Sequence, residues 1–123
     1  MAAHELSKES EMNDLFSEDG GPAVIDFWSP TCGPCKKMAP AYDSVATEME
    51  QEGVRFLKLN TAKHPHLAAP FRIRAVPTLL FVLNGEVVDV RVGALGEDDL
   101  RKKGRWLAGK AQGKGFFSRI FGK

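Results

Sequence analysis

Residues 23–36 have the sequence AVIDFWSPTCGPCK, and this stretch decides the fold of the chain. Its first half, 23–28, is a short apolar run rich in Val, Ile and Phe, which predicts a strand buried on both faces. A turn at 29–31 follows, and apolar residues then recur at helical spacing as far as Met49. The stretch therefore predicts a buried strand that leads into a helix beginning near Cys32. Cys32 and Cys35, the only two cysteines of the chain, lie one helical turn apart.

The cysteine pair predicts redox chemistry or metal binding, because a bridge closing so short a loop would stabilise the fold little. At a helix N-terminus, unpaired backbone N–H groups and the helix dipole lower the pKa of the Cys32 thiol, and the thiolate is the species that attacks a disulfide. Cys35 can then attack the mixed disulfide and release the substrate. The alternative is half of a zinc site. The remaining ligand candidates, His4, His64 and His66, are not spaced like a ligand pair, and the last two are expected in a solvated loop.

The rest of the chain alternates helices and strands. Helices are predicted over 7–19, around 67–71 and after Gly96, and strands over 54–60, 78–83 and 87–92. Asn84-Gly85, between the last two apolar runs, predicts a hairpin. Pro40 should kink the helix that follows the cysteines, and Gly104 should weaken the last helix. This order predicts an α/β fold with a central mixed sheet and helices on both of its faces.

Length and composition indicate one globular domain. The chain has 123 residues, of which 43% are hydrophobic and 27% charged. No stretch is long and apolar enough to span a bilayer, and the N-terminus lacks the layout of a secretory signal, so the expected location is the cytoplasm. A monomer is the default expectation. Residues 1–109 are expected to form the domain, and 110–123 a basic tail.

The charge is unevenly distributed. Residues 101–123 contain eight Lys or Arg and no Asp or Glu, whereas residues 1–100 contain nine basic and sixteen acidic residues, a net charge of −7. If the tail is helical, Phe116, Phe117, Ile120 and Phe121 share one face, which predicts binding to an anionic membrane surface or an acidic partner. The alternative is a tail that folds back on its own domain or is disordered. Nucleic acid is not expected to bind, because one short basic segment on an otherwise acidic domain offers little positively charged surface for it.

The segment around the cysteines resembles the active-site segment of the thioredoxin family. The likeness continues through 58–60, 76–78, 84–85 and 92–94, and covers roughly residues 6–109. It implies a thioredoxin fold and a protein-disulfide reductase in which Cys32 is the nucleophile and Cys35 resolves the mixed disulfide. It also implies disulfide-containing protein substrates, a thioredoxin reductase as electron donor, no metal, and no cofactor besides the cysteine pair.

Asp26 is a carboxylate in an otherwise apolar strand, and burial should raise its pKa. The resemblance implies that Asp26 moves the proton on or off the buried thiol and that Lys58, a single charge amid apolar residues, tunes it. The alternative is a solvated pair at the edge of a strand, with no role.

Substrate binding is expected opposite the cysteines. The resemblance implies a cis bond between Val76 and Pro77 that exposes the Val76 backbone to pair with an extended peptide. The flat apolar surface around it would also include Trp28, Thr31, Gly33, Pro34, Gly93 and Ala94.

The chain departs from the family pattern in four places. Thr31 stands where many thioredoxins have a tryptophan, and Ala62 replaces a common acidic residue. The first strand is hardly visible in the sequence, and the last fifteen residues extend beyond the usual end.

Two rival functions remain open at this stage. One is an oxidant or isomerase of the same fold, which a histidine between the cysteines would favour; Gly33-Pro34 stands there instead. The other is a binding module that uses the fold as a scaffold and the tail as its working part.

Overall fold

A five-stranded mixed sheet forms the centre of the molecule. The structure is a computed structural model that describes the backbone of residues 3–121 and the side chains of residues 3–113. In chain order the elements are β1 (His4–Glu5), α1 (Glu9–Leu15), β2 (Pro22–Trp28), α2 (Gly33–Glu50), β3 (Arg55–Asn60), α3 (Pro65–Ala68), a 3-10 turn (Ala69–Phe71), β4 (Thr78–Leu83), β5 (Glu86–Val92) and α4 (Glu97–Phe121). The strand order is β1-β3-β2-β4-β5, in which β1, β3 and β2 are parallel and β4 and β5 antiparallel to their neighbours.

Both faces of the sheet are covered, as the apolar run at 23–28 predicts. Val24 packs with residues of α2 and α4 in one apolar cluster, whereas the next residue, Ile25, packs with residues of α1 and α3 in a second cluster. Successive side chains of a strand point to opposite faces, so Asp26 and Trp28 lie on the same face as Val24. The site residues of β2 are therefore directed towards the α2 side of the sheet.

Two contacts hold α2 in place. The Tyr42 hydroxyl is buried and donates to the carbonyl oxygens of Leu57, at 2.7 Å, and Val24, at 3.2 Å. At Gly104 of α4, an added Cβ would lie 2.7 Å from the Sδ atom of Met49. The lack of a side chain at Gly104 is what allows α4 to approach α2 so closely.

The first helix is shorter than predicted. It begins at Glu9 and ends at Leu15, whereas the sequence indicated 7–19. The carboxylate of Glu11 accepts hydrogen bonds from the backbone N–H groups of Ser7, at 2.9 Å, and Lys8, at 3.1 Å, so the helix start is satisfied from within its first turn. The short helix expected around 67–71 is a turn of α-helix followed by the 3-10 turn.

The first strand, hardly visible in the sequence, is present as β1. It pairs with β3 in parallel register, with Glu5 opposite Lys58. At the other end of the chain, the α4 backbone continues past Gly109 to Phe121 without a break. The side chains of 114–123, and with them the predicted apolar face of Phe116, Phe117, Ile120 and Phe121, lie outside the described residues. Within the part of the chain that is described, no helix is long and apolar enough to cross a membrane.

Candidate active site

The two cysteines lie at the start of α2, where the sequence places them. Cys32 is the N-cap residue, and its Sγ accepts a hydrogen bond of 3.1 Å from the backbone N–H of Cys35. The pair forms a disulfide with a Cα–Cα distance of 5.3 Å. Cys32 is half-buried and Cys35 only 3% exposed, so an incoming substrate reaches Cys32 first.

The local sequence explains why the helix begins there. β2 ends at Trp28, and the backbone N–H of Cys32 donates to the carbonyl of Ser29 at 3.2 Å, which closes a turn between strand and helix. Pro34 occupies the first turn of α2, where a missing N–H costs nothing because that group has no partner within the helix. The sulfur of Cys32 is thus held among free N–H groups at the positive end of the helix dipole, which favours its thiolate.

The segment opposite the cysteines contains the cis peptide bond between Val76 and Pro77. The Sγ atom of Cys32 lies 3.5 Å from the carbonyl oxygen of Val76. Pro77 is buried and Val76 half-buried. The backbone N–H of Gly93 donates to the Pro77 carbonyl at 2.8 Å, which brings the loop after β5 to the same place.

The other residues predicted to contact substrate lie on the loops of this end of the sheet. Trp28 and Gly93 are half-buried, and the remainder are exposed: Thr31, Gly33, Pro34 and Ala94. The Thr31 hydroxyl lies 3.4 Å from that of Ser29, so it is engaged within its own turn.

Asp26 is almost fully buried, with 1% of its surface exposed. Its Oδ1 atom has no hydrogen-bond partner among the described residues. Burial raises the pKa of Asp26 from 3.8 to about 7, and the positive charge of Lys58 only partly offsets this effect. A carboxyl group with a pKa near neutrality can both take up and release a proton under physiological conditions.

Lys58 lies opposite Asp26 in the parallel register of β2 and β3. Its Nζ atom is 3.9 Å from the Oε2 atom of Glu5 and 4.6 Å from the centre of the Trp28 ring. The charge of Lys58 thus lowers the pKa of Asp26. Among the described residues, however, the carboxylate that forms an ion pair with Lys58 is that of Glu5.

Glu5 is the residue of this site that the sequence did not reveal. Its Oε1 atom accepts a hydrogen bond of 3.3 Å from the indole N–H of Trp28, and its charge raises the pKa of Asp26. The sequence carried no signal for this role, because residues 4–5 have weak strand character and reach Lys58 only through the pairing of β1 with β3.

A metal site finds no support in the geometry. Within residues 3–113, no three His, Cys, Asp or Glu side chains lie together as a metal ion would require. The rings of His64 and His66 are 6.1 Å apart, and both residues lie at the start of α3.

A disulfide-forming cysteine pair at a helix start, opposite a cis peptide bond and preceded by a strand with a buried carboxyl group, is the arrangement of a thiol–disulfide oxidoreductase. Comparison with known proteins identifies the family. Residues 3–105 match the family model "Thioredoxin". The chain is 35% identical over 100 residues to thioredoxin of Porphyra purpurea, covering 81% of this chain and 92% of that protein. It is 39% identical over 94 residues to thioredoxin 1 of Nostoc, covering 76% and 86%. The chain belongs to the thioredoxin family.

A solved structure agrees with this assignment. The thioredoxin of Malassezia sympodialis superposes with a TM-score of 0.77 at 28% identity, covering 87% of this chain and 91% of that chain. The predicted thioredoxin fold and the predicted activity, exchange of protein disulfides by Cys32 and Cys35, are confirmed. Family membership implies disulfide-containing protein substrates and a reductase that supplies electrons, and thioredoxins generally need no cofactor.

Proposed function

We propose that the chain reduces disulfides of other proteins in two exchange steps. The Cys32 thiolate attacks one sulfur of the substrate disulfide, which forms a mixed disulfide and releases the first substrate thiolate. The Cys35 thiolate then attacks the Sγ atom of Cys32, and the bond to the substrate breaks. The second substrate thiolate leaves, so two electrons have passed to the substrate and the chain holds the Cys32–Cys35 disulfide.

Asp26 is the proposed proton acceptor for the second step. The Cys35 thiol must lose its proton before it can attack, because the thiolate is the nucleophile, and this thiol is only 3% exposed. The observation that supports this role is the burial of Asp26 without a partner for Oδ1, together with its pKa of about 7. Lys58 is proposed to lower the pKa of Asp26 and Glu5 to raise it. Both residues would act on the thiols only through Asp26.

The proposed docking edge for substrates is the backbone of Val76. An extended peptide that pairs with it would place its disulfide against Cys32, because the Val76 oxygen lies 3.5 Å from the Cys32 sulfur. Pro77 and Gly93 would hold this edge in position through their hydrogen bond. Trp28 and Ala94 would supply apolar contact on either side. The other proposed contacts are Thr31, Gly33 and Pro34.

An insulin-reduction assay with dithiothreitol tests the activity. The chain should accelerate the appearance of turbidity, whereas Cys32→Ser should not exceed the uncatalysed rate. Equal rates for the two proteins would refute the reductase function. The reduction potential of the cysteine pair against glutathione tests the direction of exchange, and a potential well above the cytosolic range would indicate an oxidant or isomerase instead.

A thioredoxin reductase is the proposed electron donor, the cytoplasm the proposed compartment and a monomer the proposed state. Residues 1–109 are proposed to be the redox domain, and 110–123 a segment that recruits it to an anionic membrane surface or an acidic partner. The supporting observation is the basic, Phe-rich sequence of that segment. In a co-sedimentation assay with anionic vesicles, the full chain should pellet and a chain truncated after Gly109 should not. Equal pelleting would refute the membrane form of this proposal.

A further inference from the structure

An open groove of about 470 Å³ lies directly beside the proposed docking edge. Its wall runs from Thr61 through the α3 region to Val76, so the groove and the edge share a residue. Ala68 and Ile73 line it as well. Among the described residues, its charged lining consists of Arg72 and Arg74, and no acidic residue lines it.

The two arginines are free to bind a ligand. Both are exposed, and neither guanidinium has a hydrogen-bond or ion-pair partner among the described residues. Arg72 has a left-handed backbone, with φ of +52°. A residue with a Cβ adopts that conformation at an energetic cost, which glycine would avoid. The chain nevertheless has an arginine at this position.

The segments that surround the groove are also positively charged. The segments 27–42 and 56–85, which include the cysteines, the groove and Val76, contain six Lys or Arg and no Asp or Glu. All sixteen acidic residues of the chain lie in other segments. Positive charge is therefore concentrated on the segments of the redox site, on a domain that is acidic elsewhere. Such an asymmetry steers partners of opposite charge to the positive side.

We propose that this groove is a specificity site for substrates that carry an acidic side chain next to their reactive disulfide. This inference rests on the proposed docking role of Val76. Side chains of an extended peptide point alternately to its two sides, so a residue close to the disulfide can enter the groove while the backbone pairs with Val76. A carboxylate there meets two guanidinium groups, which can bind it in bidentate fashion.

The test compares two disulfide peptides that differ only in having Glu or Gln on both sides of the reactive cysteine. The wild-type chain should reduce the Glu peptide with a kcat/KM about two- to fivefold higher, because an exposed charge pair contributes a factor of about this size. Arg72→Glu/Arg74→Glu should lose or reverse this preference, because the Glu peptide then meets carboxylates in place of the guanidinium groups. Added salt of about 0.5 M should weaken the preference.

Arg55→Glu is the matched control. Arg55 begins β3 at the end of the sheet opposite the cysteines, next to Ala23 in the register, and it is exposed. This variant changes the charge by the same amount as each of the two substitutions in the double variant. It should keep the preference for the Glu peptide.

Each outcome has a separate meaning. Equal rates for the two wild-type reactions, or a preference that persists in the double variant, would overturn this inference and leave the reductase function intact. Failure of the wild-type chain to reduce either peptide would overturn both. Loss of binding to anionic vesicles in the double variant, without any peptide preference in the wild type, would assign the arginines to a lipid surface and overturn the inference.

Discussion

Replacing Asp26 by Asn should change how the stability of the protein depends on pH. Asp26 is buried, its Oδ1 atom lacks a partner among the described residues, and its pKa is raised to about 7 in the folded chain. In the unfolded chain the pKa returns to about 3.8. The folded chain therefore binds more protons between these two values, so its free energy of unfolding falls as the pH rises from about 4 to about 7 and is then constant.

The size of the effect follows from the two pKa values. Between pH 5 and pH 9, the wild-type chain should lose about 3 kcal/mol of stability through Asp26 alone. The Asn variant cannot ionise and should not show this loss. The buried amide introduces its own cost, but that cost is the same at every pH, so it shifts the variant's curve without changing its slope.

Urea unfolding of the oxidised proteins, followed by circular dichroism from pH 5 to pH 9, measures this difference. The disulfide keeps the thiols from titrating, so Asp26 is isolated from them. Asp19→Asn, at an exposed position, is the control and should follow the wild-type curve. A difference between wild type and Asp26→Asn that stays constant over this range would show that Asp26 is ionised normally, and the proposed proton transfer would lose its basis.

Three further predictions concern the site and its support. Cys35→Ser should accumulate a mixed disulfide with substrate, visible on a non-reducing gel, because the first exchange step remains and the second is lost; absence of this adduct would contradict the assigned order of the cysteines. Glu5→Gln should lower the pKa of Asp26, because it removes a nearby negative charge; the pH at which stability stops falling should move down, and an unchanged value would exclude Glu5 from the network. Gly104→Val should destabilise the fold by about 1–3 kcal/mol, since its Cβ would meet a methionine sulfur at 2.7 Å. Gly109→Ala, with nothing within 4 Å, should instead be neutral or stabilising by up to about 1 kcal/mol; equal urea midpoints for the two variants would contradict this packing.

Much of the fold could be predicted from sequence because its signals are local. The apolar run 23–28, the helical spacing after Cys32 and the dipeptide Asn84-Gly85 each determine an element without help from distant residues. β1 has no such signal. Two residues of weak strand character form a strand only because the edge of β3 offers free hydrogen-bonding groups in register, which is a property of the assembled sheet.

The same reason explains which site residues were missed. Cys32 and Cys35 carry their chemistry in their spacing, and Asp26 is conspicuous as a charge in an apolar strand. Glu5 becomes part of the site only through the pairing of β1 with β3, which brings it to Lys58 and the Trp28 indole. Its role could not be predicted from a segment in which nothing indicated a strand.

The charge of α4 shows how structure alters a conclusion drawn from composition. The sequence assigns eight uncompensated basic residues to 101–123, but two of them are paired with acidic residues. Arg101 binds Glu48 at 2.8 Å and Glu97 at 2.8 Å, and Lys103 binds Asp89. The pairs of Arg101 with Glu48 and of Lys103 with Asp89 are half-buried, and they occupy charges that an acidic partner would otherwise meet. The two arginines of the groove are unpaired among the described residues, so they, unlike Arg101 and Lys103, remain available to the acidic substrate proposed above.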